Sequence, residues 1–503
     1  MSNKQIPSKY QSAIYNEVKN TKNSIGISAV AGSGKSTTIL HCVNIIPANL
    51  DIIMLAFNRE IKDELRKRAP AHVTVNTLHG FGCRMIFMNL GSRIAVVENK
   101  VFNIGCKLFD SWQIKEENKF SYIARVSKIV DFMRFNLCTE DNDQILEMAA
   151  EYGVNVFSNE IEHAKKLLEV SNKKVHEQID FVDMIYQPAV KNFKIKKFHW
   201  VLCDEQQDLN KAQQEIVKKM IQPKGGRFIG VGDPNQSIYG FAGADSDAFA
   251  NMMNLVPNMV HMPLSICYRS TKNIVKHAQE IVPEIEFHVD AEEGVLPRDG
   301  SVNEIKGKDF VLCRNTKPLI ILYVYLLKKG IKVNIRGKEI GSSIINIIDR
   351  TRQRTVEGLL KHLGVHRLKL KSKLLSKGII KTDKHPQIIE YDEKVAIIQI
   401  LSERFTSVNL LKEFIERIFL DKDLPGITLS TIHKTKGLEA DRVFILLPNL
   451  IPSQFATTPK QLQQEQNLLY VARTRAKKEL IYIRDLEENK VAKDIKVIPR
   501  SGK

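Results

Sequence analysis

The stretch Ala29-Val30-Ala31-Gly32-Ser33-Gly34-Lys35-Ser36-Thr37 has the composition of a phosphate-binding loop. Gly32 and Gly34 let backbone N–H groups turn inward around phosphate oxygens, and a helix starting at Lys35 would add the partial positive charge of its N-terminus. Lys35 is placed to reach β- and γ-phosphates, and the Ser36 hydroxyl to sit on Mg²⁺. Ala29 stands where such loops usually have their first glycine. A second chemical signal is Val201-Leu202-Cys203-Asp204-Glu205, an apolar run ending in two acids. Beside bound phosphates, Asp204 would hold the metal ion and Glu205 would polarise the attacking water. The two signals together imply hydrolysis of a nucleoside triphosphate, with ATP and Mg²⁺ as the expected cofactors.

Such a loop needs a strand before it and a helix after it. Ser24-Ile25-Gly26-Ile27-Ser28 alternates like a strand, and Thr38-Ile39-Leu40-His41-Cys42-Val43 opens a helical pattern. Similar runs recur at 51–57, 72–77, 199–205 and 226–232, then in a second block at 309–314, 332–336, 426–432, 441–447 and 480–484. Strand-like runs alternating with helical ones predict an α/β protein with two parallel sheets. Helix-period patterns over 91–185 and 340–420 interrupt the two blocks, and the polar segment 285–308 reads as a linker.

At 503 residues, the chain can bury more than one core. Lys and Arg number 75 against 57 Asp and Glu, a net charge of +18 that favours a polyanionic partner. Between Lys361 and Lys384 there are eight basic residues and one acid, Asp383. That run reads either as a solvated helix face or as a nucleic-acid contact. The seven cysteines form no CxxC pair, which argues against a zinc or iron–sulfur site and against a disulfide framework. The first residues carry no apolar signal core, and no run approaches a membrane span. These features predict an intracellular protein, in a prokaryotic or phage-infected cytoplasm or in a nucleus, with no membrane partner.

The ordered motifs resemble the UvrD/Rep-like helicases of superfamily 1, over roughly 300 residues of the two blocks. The resemblance implies two RecA-like domains. The first covers 1–90 and 186–265 with a helical insertion at 91–185; the second covers 266–339 and 423–503 with a reduced insertion at 340–422. It implies that Gln11 reads the adenine edge and that Tyr268, in Leu264-Ser265-Ile266-Cys267-Tyr268-Arg269, stacks on the base. Gln236, in Gly232-Asp233-Pro234-Asn235-Gln236, would sense the γ-phosphate, and Glu439 would touch the ribose. Arg269 would reach the γ-phosphate, and Arg475, in Tyr470-Val471-Ala472-Arg473-Thr474-Arg475-Ala476, would be the second finger. Contacts to single-stranded DNA would come from Phe57, Asn58, Thr77, His79, Tyr239, Phe241, Arg314, Thr431 and His433, and Glu465 matches the start of the last motif.

The implied activity is ATP-dependent unwinding by 3′→5′ translocation on single-stranded DNA, acting at single/double-strand junctions and compatible with a monomer. A single-strand-stimulated ATPase that remodels protein–DNA complexes is the rival. A DNA-binding module with a relic nucleotide site is a third reading, which the intact Lys35, Asp204, Glu205, Arg269 and Arg475 set disfavours. A fused nuclease domain is not expected after Lys503. The chain departs from the family pattern at Thr37, where many members carry arginine, at Phe241, where tryptophan is frequent, and in a second insertion of about 80 residues that is shorter than in the larger bacterial members. The biological pathway and protein partners are not legible in these residues.

Overall fold

A computed structural model describes residues 6–91, 94–112, 119–152, 154, 156–240, 243–376, 379–419, 425–486 and 491. The chain divides into two compact units. One runs to Tyr268 and takes in Glu284–Glu286; the other comprises Arg269–Pro283 and the chain from Phe287 onward. The polar segment from Phe287 to Lys308 therefore belongs to the second unit, where Arg298–Asp299 pairs along Ile481 and Tyr482.

The first unit is built on six parallel strands in the order Thr74–Thr77, Ile52–Ala56, Trp200–Cys203, Arg227–Gly232, Ser24–Ala29, Met259–Leu264. Side chains alternate across the sheet, as period-two geometry requires. Ile52, Met54 and Leu202 pack on one face with Ile14, Ile39 and Val43 of the helices Lys9–Asn20 and Lys35–Ile45. Ile53, Leu55 and Val201 pack on the other face with Phe81, Ile216 and Met252. Near-continuous apolar strands between two helical layers are the signature of a buried parallel sheet.

The strand Met259–Leu264 was not among the sequence expectations. It lies at the sheet edge, contains His261 and Pro263, and buries only Leu264 fully, so it carries no apolar run. An edge position tolerates a proline that a central strand could not. The insertion of this unit is mainly helical, with Lys119–Asn136 and Ser158–Lys173 packed together, but it also holds a short parallel pair, Ala95–Val96 with Gln178–Ile179. Its entry and return are tied by fully buried charges, with Lys100 Nζ 2.7 Å from Asp183 and Arg134 held by Asp180.

The second unit has its own six-stranded parallel sheet, ordered Arg298–Asp299, Ala476–Ile483, Ala440–Leu446, Phe310–Cys313, Ile427–Thr431, Val333–Ile335. Its insertion is formed by the helices Lys338–Thr351, Val356–Ser376, Pro386–Ser402 and Val408–Ile418. The basic run starts on the second of these and ends in the short turn Thr382–Lys384 before the third. Arg367 is paired with Asp392 and Asp383, and Lys371 with Asp383, while Lys361 and Lys369 point to solvent. All seven cysteines are free thiols, five of them buried. No helix among the described residues is long and apolar enough to cross a membrane.

Candidate functional site

Apart from Gln11 on the first helix, the candidate residues of the first unit gather at one edge of its sheet because they follow the carboxyl ends of parallel strands, where open α/β sheets bind ligands. The loop follows Ser24–Ala29, Phe57 follows Ile52–Ala56, and Thr77 ends its own strand. Asp204 and Glu205 follow Trp200–Cys203, and Gln236 lies just beyond Arg227–Gly232.

In the loop, Gly32 and Gly34 have φ of 69° and 81°, left-handed values that a β-carbon would strain. Gly34 caps the helix Lys35–Ile45, and no side chain caps that N-terminus, so its N–H groups point into the loop. The loop is anchored at its base, where Ser33 Oγ donates to the Val30 carbonyl at 2.8 Å and the Tyr268 N–H donates to the Gly32 carbonyl at 2.9 Å. Ala31 and Ser33 are buried, Lys35 and Ser36 half-buried, and Thr37 exposed. Gln11 lies beside the loop. It forms a reciprocal cap with Ser8, and its Nε2 donates to Thr38 Oγ1 at 3.1 Å. Its amide is thus engaged by protein at both ends, its Oε1 accepting the Ser8 N–H at 3.0 Å.

Glu205 adopts φ 55°, a left-handed conformation rarely taken by a residue with a side chain. Such strain clusters at functional sites, where the surroundings over-determine it. Asp204 is buried and accepts the Glu205 N–H at 3.0 Å. Two residues absent from the sequence expectations complete this cluster. Gln207 Nε2 donates to Glu205 Oε2 at 2.6 Å, and its Oε1 accepts the Asp233 N–H at 3.0 Å. Asp233 in turn accepts Gln236 Nε2 at 2.7 Å. Burial pushes the Asp233 carboxyl above its ordinary range, and the Lys35 charge opposes that shift. The Asp-Glu-Gln-Gln-Asp run held the only available signal for Gln207, and the long-range bond to Asp233 is invisible in a sequence.

On the same unit, Phe57 is 46% exposed and its ring lies parallel to that of Tyr239, with centroids 6.1 Å apart and planes at 17°. Phe81, by contrast, is buried against Phe198 and belongs to the core. Asn58 caps the helix Arg59–Arg68 through the Ile61 N–H, and Thr77 caps Leu78–Leu90 through the Gly80 N–H. Burial lowers the His79 pKa. Phe241 lies outside the described residues.

In the second unit the candidates form two separate groups. Arg269 Nε sits 2.5 Å from Glu439, whose other oxygen holds Lys477 at 2.6 Å, and Arg269 Nη1 donates to the Thr474 carbonyl. Arg475 is 2% exposed and donates to the carbonyls of Val471, Thr435 and Leu438. This group borders the amino ends of the strands Ala440–Leu446 and Ala476–Ile483. The other group borders carboxyl ends: Arg314 follows Phe310–Cys313, and Thr431 ends Ile427–Thr431. Arg314 makes a bidentate pair with Glu465 at 2.8 and 2.6 Å. Burial, reinforced by Arg314, drops the His433 pKa to about 4, so its ring is neutral at physiological pH. Arg473 is held within this unit by Glu280 and the His277 carbonyl.

Residues 11–257 match the UvrD/REP helicase N-terminal domain, and residues 375–486 match the UvrD-like helicase C-terminal domain. The chain is 24% identical to F-box DNA helicase protein 1 of Schizosaccharomyces pombe, over 90% of this chain and 55% of that protein. It is 27% identical to the ATP-dependent DNA helicase PcrA of Bacillus subtilis, over 53% of this chain and 38% of that one. To the ATP-dependent DNA helicase Rep of Buchnera aphidicola it is 23% identical, over 93% of each. The alignments thus span about half of the fission-yeast relative and less of PcrA. With both domain families matched in order on two parallel-sheet units, the chain belongs to the UvrD/Rep-like helicases of superfamily 1.

Proposed function

We propose that this chain is an ATP-dependent DNA helicase that translocates 3′→5′ on single-stranded DNA and opens the duplex at a single/double-strand junction. The observation that carries the reading is the first unit's sheet edge. There Gly32 and Gly34 have positive φ, Glu205 is held at positive φ after Asp204, and Gln236 is bonded to Asp233. The exposed Phe57 ring lies parallel to the half-buried Tyr239 ring. These features support a phosphate loop, an acid pair, a γ-phosphate sensor and a stacking surface. The donor set fits a nucleoside triphosphate with its magnesium ion: glycines at positive φ, an uncapped helix N-terminus, Lys35, and the Ser36 hydroxyl with Asp204. Ser36 and Asp204 would hold the metal, which would neutralise phosphate charge.

Phosphoryl transfer needs positive charge around the departing γ-phosphate and an oriented nucleophile. Lys35 supplies that charge from the first unit, and Glu205 orients the water. The family resemblance assigns the remaining transition-state charge to Arg269 and Arg475. Gln236 reports whether the γ-phosphate is present. Phe57 and Tyr239 offer π-faces to successive bases without regard to sequence.

The test is ATP-driven strand displacement on duplexes with a 3′ or a 5′ single-stranded tail. Unwinding of the 3′-tailed substrate alone is the expected result, with affinity falling by several log units per log unit of salt. Robust single-strand-stimulated hydrolysis without displacement of either duplex would favour remodelling of protein–DNA complexes instead.

A further inference from the structure

We propose that Gln207 is a positioning residue that orients the Glu205 carboxylate and ties it to the γ-phosphate-sensing segment Asp233–Gln236; this rests on the hydrolysis reading above. Gln207 is 2% exposed, and both ends of its amide are committed. Nε2 donates to Glu205 Oε2 at 2.6 Å and, more weakly, to Asp208 Oδ2 at 3.3 Å, while Oε1 accepts the Asp233 N–H at 3.0 Å. Two carboxylates on one side and a backbone donor on the other fix which way the amide points. A side chain with donors at one end and an acceptor at the other is required. Glutamate would set a third carboxylate against Glu205 and Asp208, and leucine would leave the Asp233 N–H unpaired.

The strand beneath is shaped to admit this amide. A β-carbon on Gly232 would sit 2.2 Å from Gln207 Oε1, so any other residue there would expel it. The chain of contacts then runs onward. Asp233 Oδ2 takes the Gln236 amide at 2.7 Å, and Ser237 Oγ reaches the Gln207 carbonyl at 3.4 Å. The links from Gln207 to Asp233, from Asp233 to Gln236 and from Ser237 to Gln207 are buried, and the Gln207–Glu205 bond is half-buried. In such surroundings hydrogen bonds polarise one another and an unpaired group is costly. Glu205 itself is held at positive φ, so its carboxylate depends on such partners for its aim. A shift of Gln236 on loss of the γ-phosphate would reach Glu205 through two side chains. The water-orienting group would thereby be competent only with triphosphate bound.

The experiment compares the full chain with Gln207→Leu and Gln207→Glu, using ATP, Mg²⁺ and single-stranded DNA. Gln207→Leu should lose roughly 10²-fold in kcat, the scale for a mispositioned general base. Affinity for a non-hydrolysable ATP analogue and thermal melting should stay near wild type. Gln207→Glu is isosteric and carries the test if the leucine variant fails to fold. Its added carboxylate is set against those of Glu205 and Asp208, so kcat should fall by roughly 10-fold or more while affinity for the ATP analogue and thermal melting hold. A wild-type rate in a folded Gln207→Glu protein would overturn the proposal. So would a parallel fall of kcat, nucleotide affinity and melting temperature, which would mark Gln207 as purely structural. Absence of hydrolysis by the wild-type chain would instead remove the reading on which the proposal rests, and is read separately in the control.

Discussion

The two sheets have the same strand count and direction, yet they use their edges differently. In the first unit, the phosphate loop, the acid pair, Gln236 and the aromatic pair follow carboxyl ends of strands and share one edge. In the second, Arg269, Glu439 and Arg475 border amino ends, while Arg314, Thr431 and His433 border carboxyl ends. The helix Pro459–Arg473 serves both groups, with Glu465 holding Arg314 and with its last turn leading into Arg475. The difference extends to bonding. Lys35 makes no ion pair among the described residues, and the N-terminus of the helix Lys35–Ile45 has no side-chain cap. Arg269, Arg314 and Arg475 of the second unit each already have an internal partner. The first unit is pre-organised for phosphate, whereas the second must exchange partners before its charges can serve. Charge-assisted hydrogen bonds are each worth about 1.5–3 kcal/mol, so this exchange offsets much of any gain in ground-state binding. The second-unit arginines should therefore contribute to turnover more than to affinity.

The largest effect is expected at the pre-organised edge. Lys35→Ala should abolish hydrolysis, with a loss above about 10³-fold, because it removes the fixed charge nearest the transferred group. Single-stranded DNA binding should persist, since Lys35 belongs to the loop and Phe57 lies after another strand. Turnover near the wild-type rate, measured with saturating DNA, would dissolve the assigned role of the loop and with it the contrast between the units.

Next come the arginines. Arg269→Ala and Arg475→Ala should each lower kcat by roughly 10³, the scale of a lost arginine finger, with nucleotide affinity changed far less. They should differ in stability. Arg475 is buried and satisfies three carbonyls, so its loss should also cost about 1–3 kcal/mol of folding free energy. Arg269 is partly exposed, and its partner Glu439 keeps Lys477, so melting of that variant should barely change. If Arg475→Ala melted early but hydrolysed normally once folded, Arg475 would be a structural bond and the finger would have to be sought elsewhere.

How much of this was legible follows the same divide. The phosphate loop, the acid pair and the central strands were readable because buried parallel strands need apolar runs, and phosphate chemistry needs particular residues at fixed spacing. Val201-Leu202-Cys203 before Asp204 is both at once. The strand Met259–Leu264 was not readable, since an edge strand needs neither an apolar run nor a free N–H at Pro263. The roles of Gln207 and Asp233 as partners rest on a bond across a long sequence separation and on turn geometry, and no periodicity marks them. Glu439 and Glu465 were named from the resemblance, but their bonds to Arg269 and Arg314 were not legible. Phe57 and Phe81 looked alike as isolated aromatics. Only the fold separates an exposed ring beside Tyr239 from one packed on Phe198.

That separation gives the smallest and most selective prediction. Phe57 is 46% exposed, so truncating it removes little buried apolar surface, and Phe57→Ala should melt within a few degrees of wild type. If its ring and that of Tyr239 form a stacking platform, the variant loses about 1–3 kcal/mol of single-strand affinity, roughly 5- to 150-fold. The salt slope should hardly change, because no phosphate contact is removed. Phe81→Ala is the matched control. It empties a core position and should cost about 3–5 kcal/mol of stability, with affinity per folded molecule unchanged. Binding isotherms and melting curves on both variants place each ring on one side of the divide. Wild-type DNA affinity in a stable Phe57→Ala protein would show that the parallel rings are not the DNA platform, and would leave the first unit's shared edge to the nucleotide alone.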